Sequence, residues 1–145
     1  MADSKAEMTF LGFDYGTSWI GVAYGQRITN TAKALKVLRA RDGIPNWDEI
    51  TELIQEWHPD ALIVGNPLNM DDSVSELSQR ANKFKNRLHG RFGLPAYSFD
   101  ERLSSYEAKG LLLENNKGNH DFRSQHVDAL AAQIILQGWL DQHTS

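Results

Sequence analysis

The first apolar stretches, "TFLGFD" at 9–14 and "WIGVAYG" at 19–25, are separated by "YGTS", a run of turn formers. That pattern predicts two strands joined as a hairpin. "TAKALKVLRA" at 31–40 alternates in part and predicts a third strand. "NWDEITELIQEWHP" puts Trp47, Ile50, Leu53, Ile54 and Trp57 on one helical face. Asn46 caps this helix, Glu49 completes a capping box, and Pro59 ends it. "ALIVG" at 61–65 is a short continuous apolar run, as in a strand covered on both faces. "NPLNMDDS" follows as a loop. A helix is expected over 75–90, with Leu77, Ala81, Phe84 and Leu88 on one face, and then a strand in "PAYSFDE". Ser104 and Glu107 form a second capping box, opening a helix through Glu114. "NNKGNHDF" has no apolar pattern and reads as a mobile loop. From Ser124, "QHVDALAAQIILQGWLDQ" reads as the last helix.

The predicted order is β-β-β-α-β-α-β-α-α. A hairpin opens the chain and strand–helix alternation follows, which argues for an α/β fold with a mixed five-stranded sheet and helices on both faces. The 145 residues suit one domain, expected over 9–141, with flexible ends at 1–8 and 142–145. No run of about 18 apolar residues is present, so no membrane span is expected. "MADSKAE" lacks a basic n-region and an apolar h-region, so no secretory signal is expected. With no cysteine, disulfides, thiolate metal sites and Cys nucleophiles are excluded, which fits a cytoplasmic protein. A net charge of -4 weighs against a large nonspecific nucleic-acid binder but leaves room for a local basic stripe.

In open α/β sheets, sites form beyond the carboxyl ends of the parallel strands. Asp14 ends the first strand, "GNPLN" follows the fourth, and "DER" at 100–102 ends the fifth. Asp128 falls in the first turn of the last helix, with Ala131, Ala132 and Ile135 at i+3, i+4 and i+7. Each acid also has a structural reading. Asp14 suits a turn brace, Asp128 a favourable helix-dipole position, and Glu101 with Arg102 a surface pair. Converging carboxylates, however, repel one another unless a cation sits between them. Hard oxygen donors favour Mg²⁺ or Mn²⁺, and two such ions support phosphodiester cleavage. In the helix expected at 75–90, Arg80, Lys83, Arg87 and Arg91 follow i, i+3, i+7, i+11 spacing. This stripe reads either as a solvated face or as a track for a phosphate backbone.

"FDYGTSWIGVAYGQRIT", "VGNPLNMDDS", "FDERLSS" and "VDALAAQIIL" occur in the order seen in the YqgF/RuvX family, which this chain resembles over about residues 9–140. These are Holliday-junction-resolvase-like proteins, also assigned as the pre-16S rRNA nuclease. The resemblance implies an RNase H-like fold and a metal-dependent nuclease acting on structured RNA, with ribosomal RNA maturation as its role. It implies Asp14 as the first-strand ligand of two Mg²⁺ or Mn²⁺ ions, Glu101 as the second ligand with Asp100 as a weaker contender, and Asp128 as the third. It also implies that Gly65 and Asn69 of "GNPLN" meet the substrate backbone, and Arg102 is placed with the basic stripe in the nucleic-acid contact. The family usually reads GLPLNMDG where this chain has Asn66 and Asp72, and often has Lys where this chain has His126. Those departures bear on substrate grip more than on metal binding.

Rival classes remain open at this level. "DYGT" also begins phosphotransferases of the actin and sugar-kinase type, but those need two such domains and this chain has room for one. A noncatalytic nucleic-acid or ribosome-binding module gains little from converging carboxylates near phosphates. Within the nucleases, DNA-junction resolution is the closest rival, since nothing in these residues reads a 2′-hydroxyl. The expected partners are nucleic acid and no membrane, with the protein a monomer or a homodimer.

Overall fold

The computed structural model describes residues 8–67, 75–101 and 128–142. Among these are six strands and three helices. In chain order they are β1 (Thr9–Asp14), β2 (Trp19–Gln26), β3 (Thr31–Arg41), β4 (Ile44–Pro45), α1 (Trp47–Trp57), β5 (Ala61–Asn66), α2 (Glu76–Phe92), β6 (Ala96–Asp100) and α3 (Asp128–Gln142). Of the loop expected in "NPLNMDDS" at 66–73, Asn66 instead ends β5 and residues 68–73 lie outside the described residues, as do the helix from Ser104 to Glu114 and the loop after it.

The strands form one sheet in the order β4-β3-β2-β1-β5-β6. β1, β2, β3 and β4 pair antiparallel in succession, and β5 lies parallel to both β1 and β6. The expected hairpin and mixed sheet are present. The strand count is six rather than five, because a two-residue strand, Ile44–Pro45, folds back on Ala40 and Arg41. The turn that makes it is Asp42-Gly43, with φ of 49° and 81°. Asp-Gly suits such a tight hairpin because both positions need positive φ. The strand is too short to carry an alternating pattern of its own.

Two cores sit on the two faces of the sheet. One holds Leu11, Phe13, Tyr15, Ile20, Val22, Leu38, Leu62 and Val64 against Ile50 and Leu53 of α1 and Ala81, Phe84 and Leu88 of α2. The other holds Phe10, Ala23, Ala32, Ala61, Ile63 and Phe99 against Ala132, Ile135, Leu136, Trp139 and Leu140 of α3. Successive strand residues thus alternate between faces. β5 is buried at Ala61, Leu62, Ile63, Val64 and Gly65, which explains its continuous apolar run.

The helix boundaries follow the sequence signals. Asn46 caps α1, its side chain accepting from Asp48 N at 3.0 Å, and His58 closes the helix in a left-handed conformation with its N–H on Ile54 O. Ser75 caps α2 by accepting from Ser78 N at 3.0 Å, and Gly93 ends it. One residue departs from expectation: Leu77 is exposed, while Ser78 is buried and donates from its hydroxyl to Asn66 Oδ1. A buried hydroxyl holds its place when it finds such a partner. On the opposite face, α3 is tied to the edge of the sheet by glutamines. Gln133 and Gln137 Oε1 accept from Ala34 N at 3.2 Å and Ala32 N at 3.0 Å. These N–H groups lie on a stretch of β3 that β4 does not reach, so the helix covers an otherwise open edge.

Candidate functional site

The carboxyl ends of β1, β5 and β6 lie side by side, and each delivers neighbouring residues to opposite faces. On β1, Phe10 belongs to the α3 core and Leu11 and Phe13 to the other. Alternation therefore puts Asp14 on the α3 face and Tyr15 on the α2 face, where its ring sits 5.1 Å from that of Phe84. On β5, Ala61 and Ile63 face α3, so Gly65 does too, while Asn66 meets Ser78 of α2. On β6, Phe99 faces α3. Glu101 shares its side, and Asp100, paired in register with Asn66, falls on the other.

The α3 face thus gathers Asp14 and Glu101 on either side of Gly65, with β5 between their strands. The backbones are about 10 Å apart at two strand spacings, and the empty side-chain position at Gly65 leaves room to bridge that gap. A Cβ built on Gly65 would lie 2.9 Å from Glu101 Oε2 and 2.5 Å from Ile135 Cδ1. Glu101 therefore reaches across β5 toward Asp14. The expected contact of Gly65 with substrate has a neighbour in this packing: the glycine sits directly under Glu101 and α3. Asp14 is half-buried at its place opposite Gly21 of β2.

Asp128 is the first residue of α3, two turns before Ile135, which lies over Gly65. The helix start is thereby about 10 Å beyond Ile135, past the strand ends. The Asp128 side chain lies outside the described residues, as do Asn69, Asp72, Arg102 and His126. Among the described residues, no three His, Cys, Asp or Glu side chains form a ready metal cluster. Asp14 and Glu101 still offer hard oxygen donors on one face, and that chemistry fits Mg²⁺ or Mn²⁺ rather than a softer metal.

The turn after Asp14 is fixed by the β3–β4 hairpin. Gly43 N donates to Thr17 O and Ala40 N to Ser18 O, both at 2.8 Å. Tyr15 Oη donates to Gly43 O at 3.0 Å. These bonds hold the turn that directly follows Asp14.

On the α2 face, the surface beside the end of β1 is basic. A cleft of about 200 Å³ is lined by Tyr15, Asp42, Trp47, Arg80, Lys83 and Arg87, among others. The stripe divides into residues with different duties. Arg80 Nη2 donates to Asp42 O at 2.6 Å and to Asp42 Oδ1 at 3.2 Å, and this bond raises the already high Arg80 pKa further. The Arg91 guanidinium lies 4.2 Å from the ring centre of Trp47, a cation–π contact. Lys83 and Arg87 complete the cleft wall. The sequence reading named the four cations and missed Tyr15, Asp42 and Trp47; the Asp-Gly dipeptide at 42–43 carried the signal for the hairpin that brings Asp42 to Arg80.

The family model for RuvX, described as Holliday junction resolvase, matches residues 8–142. A protein of Pseudomonas aeruginosa (strain LESB58), named "Putative pre-16S rRNA nuclease", is 54% identical over 144 residues, covering 99% of each chain. One of Azotobacter vinelandii with the same name is 56% identical over 131 residues, covering 90% of this chain and 91% of the relative. Among solved structures, T. thermophilus RuvC in complex with a Holliday junction substrate aligns with a TM-score of 0.57 at 15% identity, over 95% of this chain and 98% of that one. The Fowlpox virus resolvase in complex with Holliday junction DNA aligns with a TM-score of 0.60 at 11% identity, over 95% and 100%. The resolvases share the fold, an RNase H-like α/β sheet. With the family model covering nearly the whole chain and relatives above 50% identity, the chain belongs to the RuvX family.

Proposed function

We propose that this protein is an endonuclease that hydrolyses phosphodiester bonds in structured nucleic acid, with the maturation of pre-16S rRNA at its 5′ end as its task. The observation that carries this reading is the placement of Asp14 and Glu101 on one face, flanking Gly65, at the end of the sheet where α3 begins. Two carboxylates held across a glycine gap are poorly suited to binding a polyanion by themselves, since they repel its phosphates. They suit a site that takes a cation with the substrate. Asp14, Glu101 and Asp128 would hold two Mg²⁺ or Mn²⁺ ions, which when bound supply charge neutralisation and an activated water. The chain's own residues then set position and grip. Lys83 and Arg87 attract the phosphate backbone from the α2 side, and the hairpin-pinned turn keeps the Asp14 carboxylate from drifting. The RNA task is supported by the name of the relatives, and cytoplasmic location is consistent with it. Among the described residues, no helix is long and apolar enough to cross a membrane.

Junction resolution is the second reading, supported by the fold shared with resolvases seen on Holliday junctions. A cleavage panel separates the two. It offers single-stranded RNA, structured precursor rRNA, duplex DNA and four-way junctions, each with Mg²⁺ or Mn²⁺. Cutting of precursor rRNA alone supports the first reading, and cutting of junctions alone supports the second. No cutting of any substrate contradicts both.

A further inference from the structure

Trp19 opens β2 at the same end of the sheet as the acids and is 36% exposed. It belongs to neither core. It alternates with Gly21, Ala23 and Gly25, of which Ala23 and Gly25 meet the α3 core, so Trp19 lies on the α3 face. Gly21 is the residue that pairs with Asp14. Trp19 is thus about 7 Å along β2 from the Asp14 row, on the same side of the sheet. Its cross-strand partner is Arg39, whose guanidinium carbon lies 5.6 Å from the indole centre. An exposed flat ring and a positive charge therefore lie beside the Asp14 row on the α3 face.

We propose that Trp19 and Arg39 form a stacking subsite for one unpaired nucleotide of the substrate, next to the bond that is cut. The inference rests on the nuclease reading and adds a substrate requirement to it. The indole takes the face of a base, and Arg39 meets the phosphate attached to that nucleotide. Every base has a π-face, so the contact tolerates any sequence. It does not tolerate full pairing, because a base inside a duplex has both faces covered by its neighbours. The subsite therefore selects nucleic acid with an unpaired nucleotide at the cut, such as a single-stranded flank beside a helix. The occupant is favoured by charge, since Arg39 offers a positive group to a polyanion at a place where Asp14 and Glu101 alone would repel it.

The test uses affinity, so that it is independent of whether the protein cuts. In an Asp14→Asn background, a labelled RNA hairpin with a single-stranded extension and a fully paired control are titrated by fluorescence anisotropy in Mg²⁺. Trp19→Ala should weaken binding of the extended RNA by about 5- to 150-fold, the range for loss of one base–aromatic stack. Trp19→Phe should keep most of the affinity, and the paired control should bind all variants alike. Abasic nucleotides walked along the extension should reveal one position that weakens the protein with Trp19 and leaves Trp19→Ala unaffected. Equal affinity of Trp19→Ala for the extended RNA would overturn the proposal, and so would an equal loss on the paired control. Failure of the wild-type protein to cut any substrate would count against the nuclease reading, while the affinity series would still decide the stacking contact.

Discussion

The two faces of one sheet edge do opposite electrostatic work. At the ends of β1, β5 and β6, the α3 face receives Asp14, Gly65 and Glu101, and the α2 face receives Tyr15, Asn66 and Asp100. The first face is acidic, with Glu101 and Ile135 filling the place that a side chain at Gly65 would take. The second is packed around Phe84 and leads to a cleft walled by Arg80, Lys83 and Arg87. The separation is made by the pleat, which sends neighbours such as Asp14 and Tyr15 to different sides. Lys83 and Arg87 therefore lie on the other side of the sheet from Asp14 and Glu101. Asp42 marks the boundary: it takes Arg80, so part of the basic stripe is already committed within the protein.

The comparison breaks most visibly at the carboxylates. Asp14→Asn and Glu101→Gln should each reduce cleavage by more than the roughly 10–100-fold typical when a ligand's outer partners are changed. Asp100→Asn, on the other face, should stay close to wild type. Rates on a precursor rRNA substrate with Mn²⁺ check this, and a loss at Asp100 equal to that at Glu101 would erase the distinction between faces. Gly65→Ala should come next. Its Cβ would push against Ile135 and Glu101, so overpacking should cost about 1–3 kcal/mol in denaturant melts and lower activity as well. Stability loss without activity loss would mean that Glu101 can be displaced freely. Smaller effects belong to the cleft. Lys83→Ala and Arg87→Ala should each weaken binding across sequences and flatten the salt dependence by about 0.7–0.9 unit. Arg80→Ala should flatten it less, because Asp42 already offsets that charge. Binding titrations from low to moderate salt read the slopes directly.

Much of this architecture was legible in the chain. Short apolar runs located β1, β2 and β5, partial alternation located β3, and the 3.6-residue period located the buried faces of α1 and α2, because burial leaves those marks. β4 was missed since two residues cannot show a period, although Asp42-Gly43 announced its turn. Leu77 misled because it fits the stripe of Ala81, Phe84 and Leu88, yet the buried place went to Ser78, which a hydroxyl–amide hydrogen bond makes tolerable. The preference for Glu101 over Asp100 came from the family resemblance; the sequence could not show which face Phe99 takes, and that face is what puts Glu101 on the α3 side and Asp100 on the other. The pairing of Arg80 with Asp42 spans 38 positions and leaves no local trace in the sequence.

Metal-dependent stabilisation tests the central claim most directly. Mg²⁺ or Mn²⁺ binding to the folded protein alone should add about 2.7 kcal/mol at a hundredfold excess over the dissociation constant. For a chain of this size that corresponds to a rise in Tm of about 5–10 °C. Thermal melts with chelator and with Mn²⁺, run on wild type, Asp14→Asn and Asp100→Asn, give the answer. The gain should appear in wild type and Asp100→Asn and vanish in Asp14→Asn, whose apo form should melt slightly higher than apo wild type because one of the converging charges is gone. Equal Mn²⁺ shifts in wild type and Asp14→Asn, with the variant less stable in chelator, would mean that Asp14 serves the turn and not a metal.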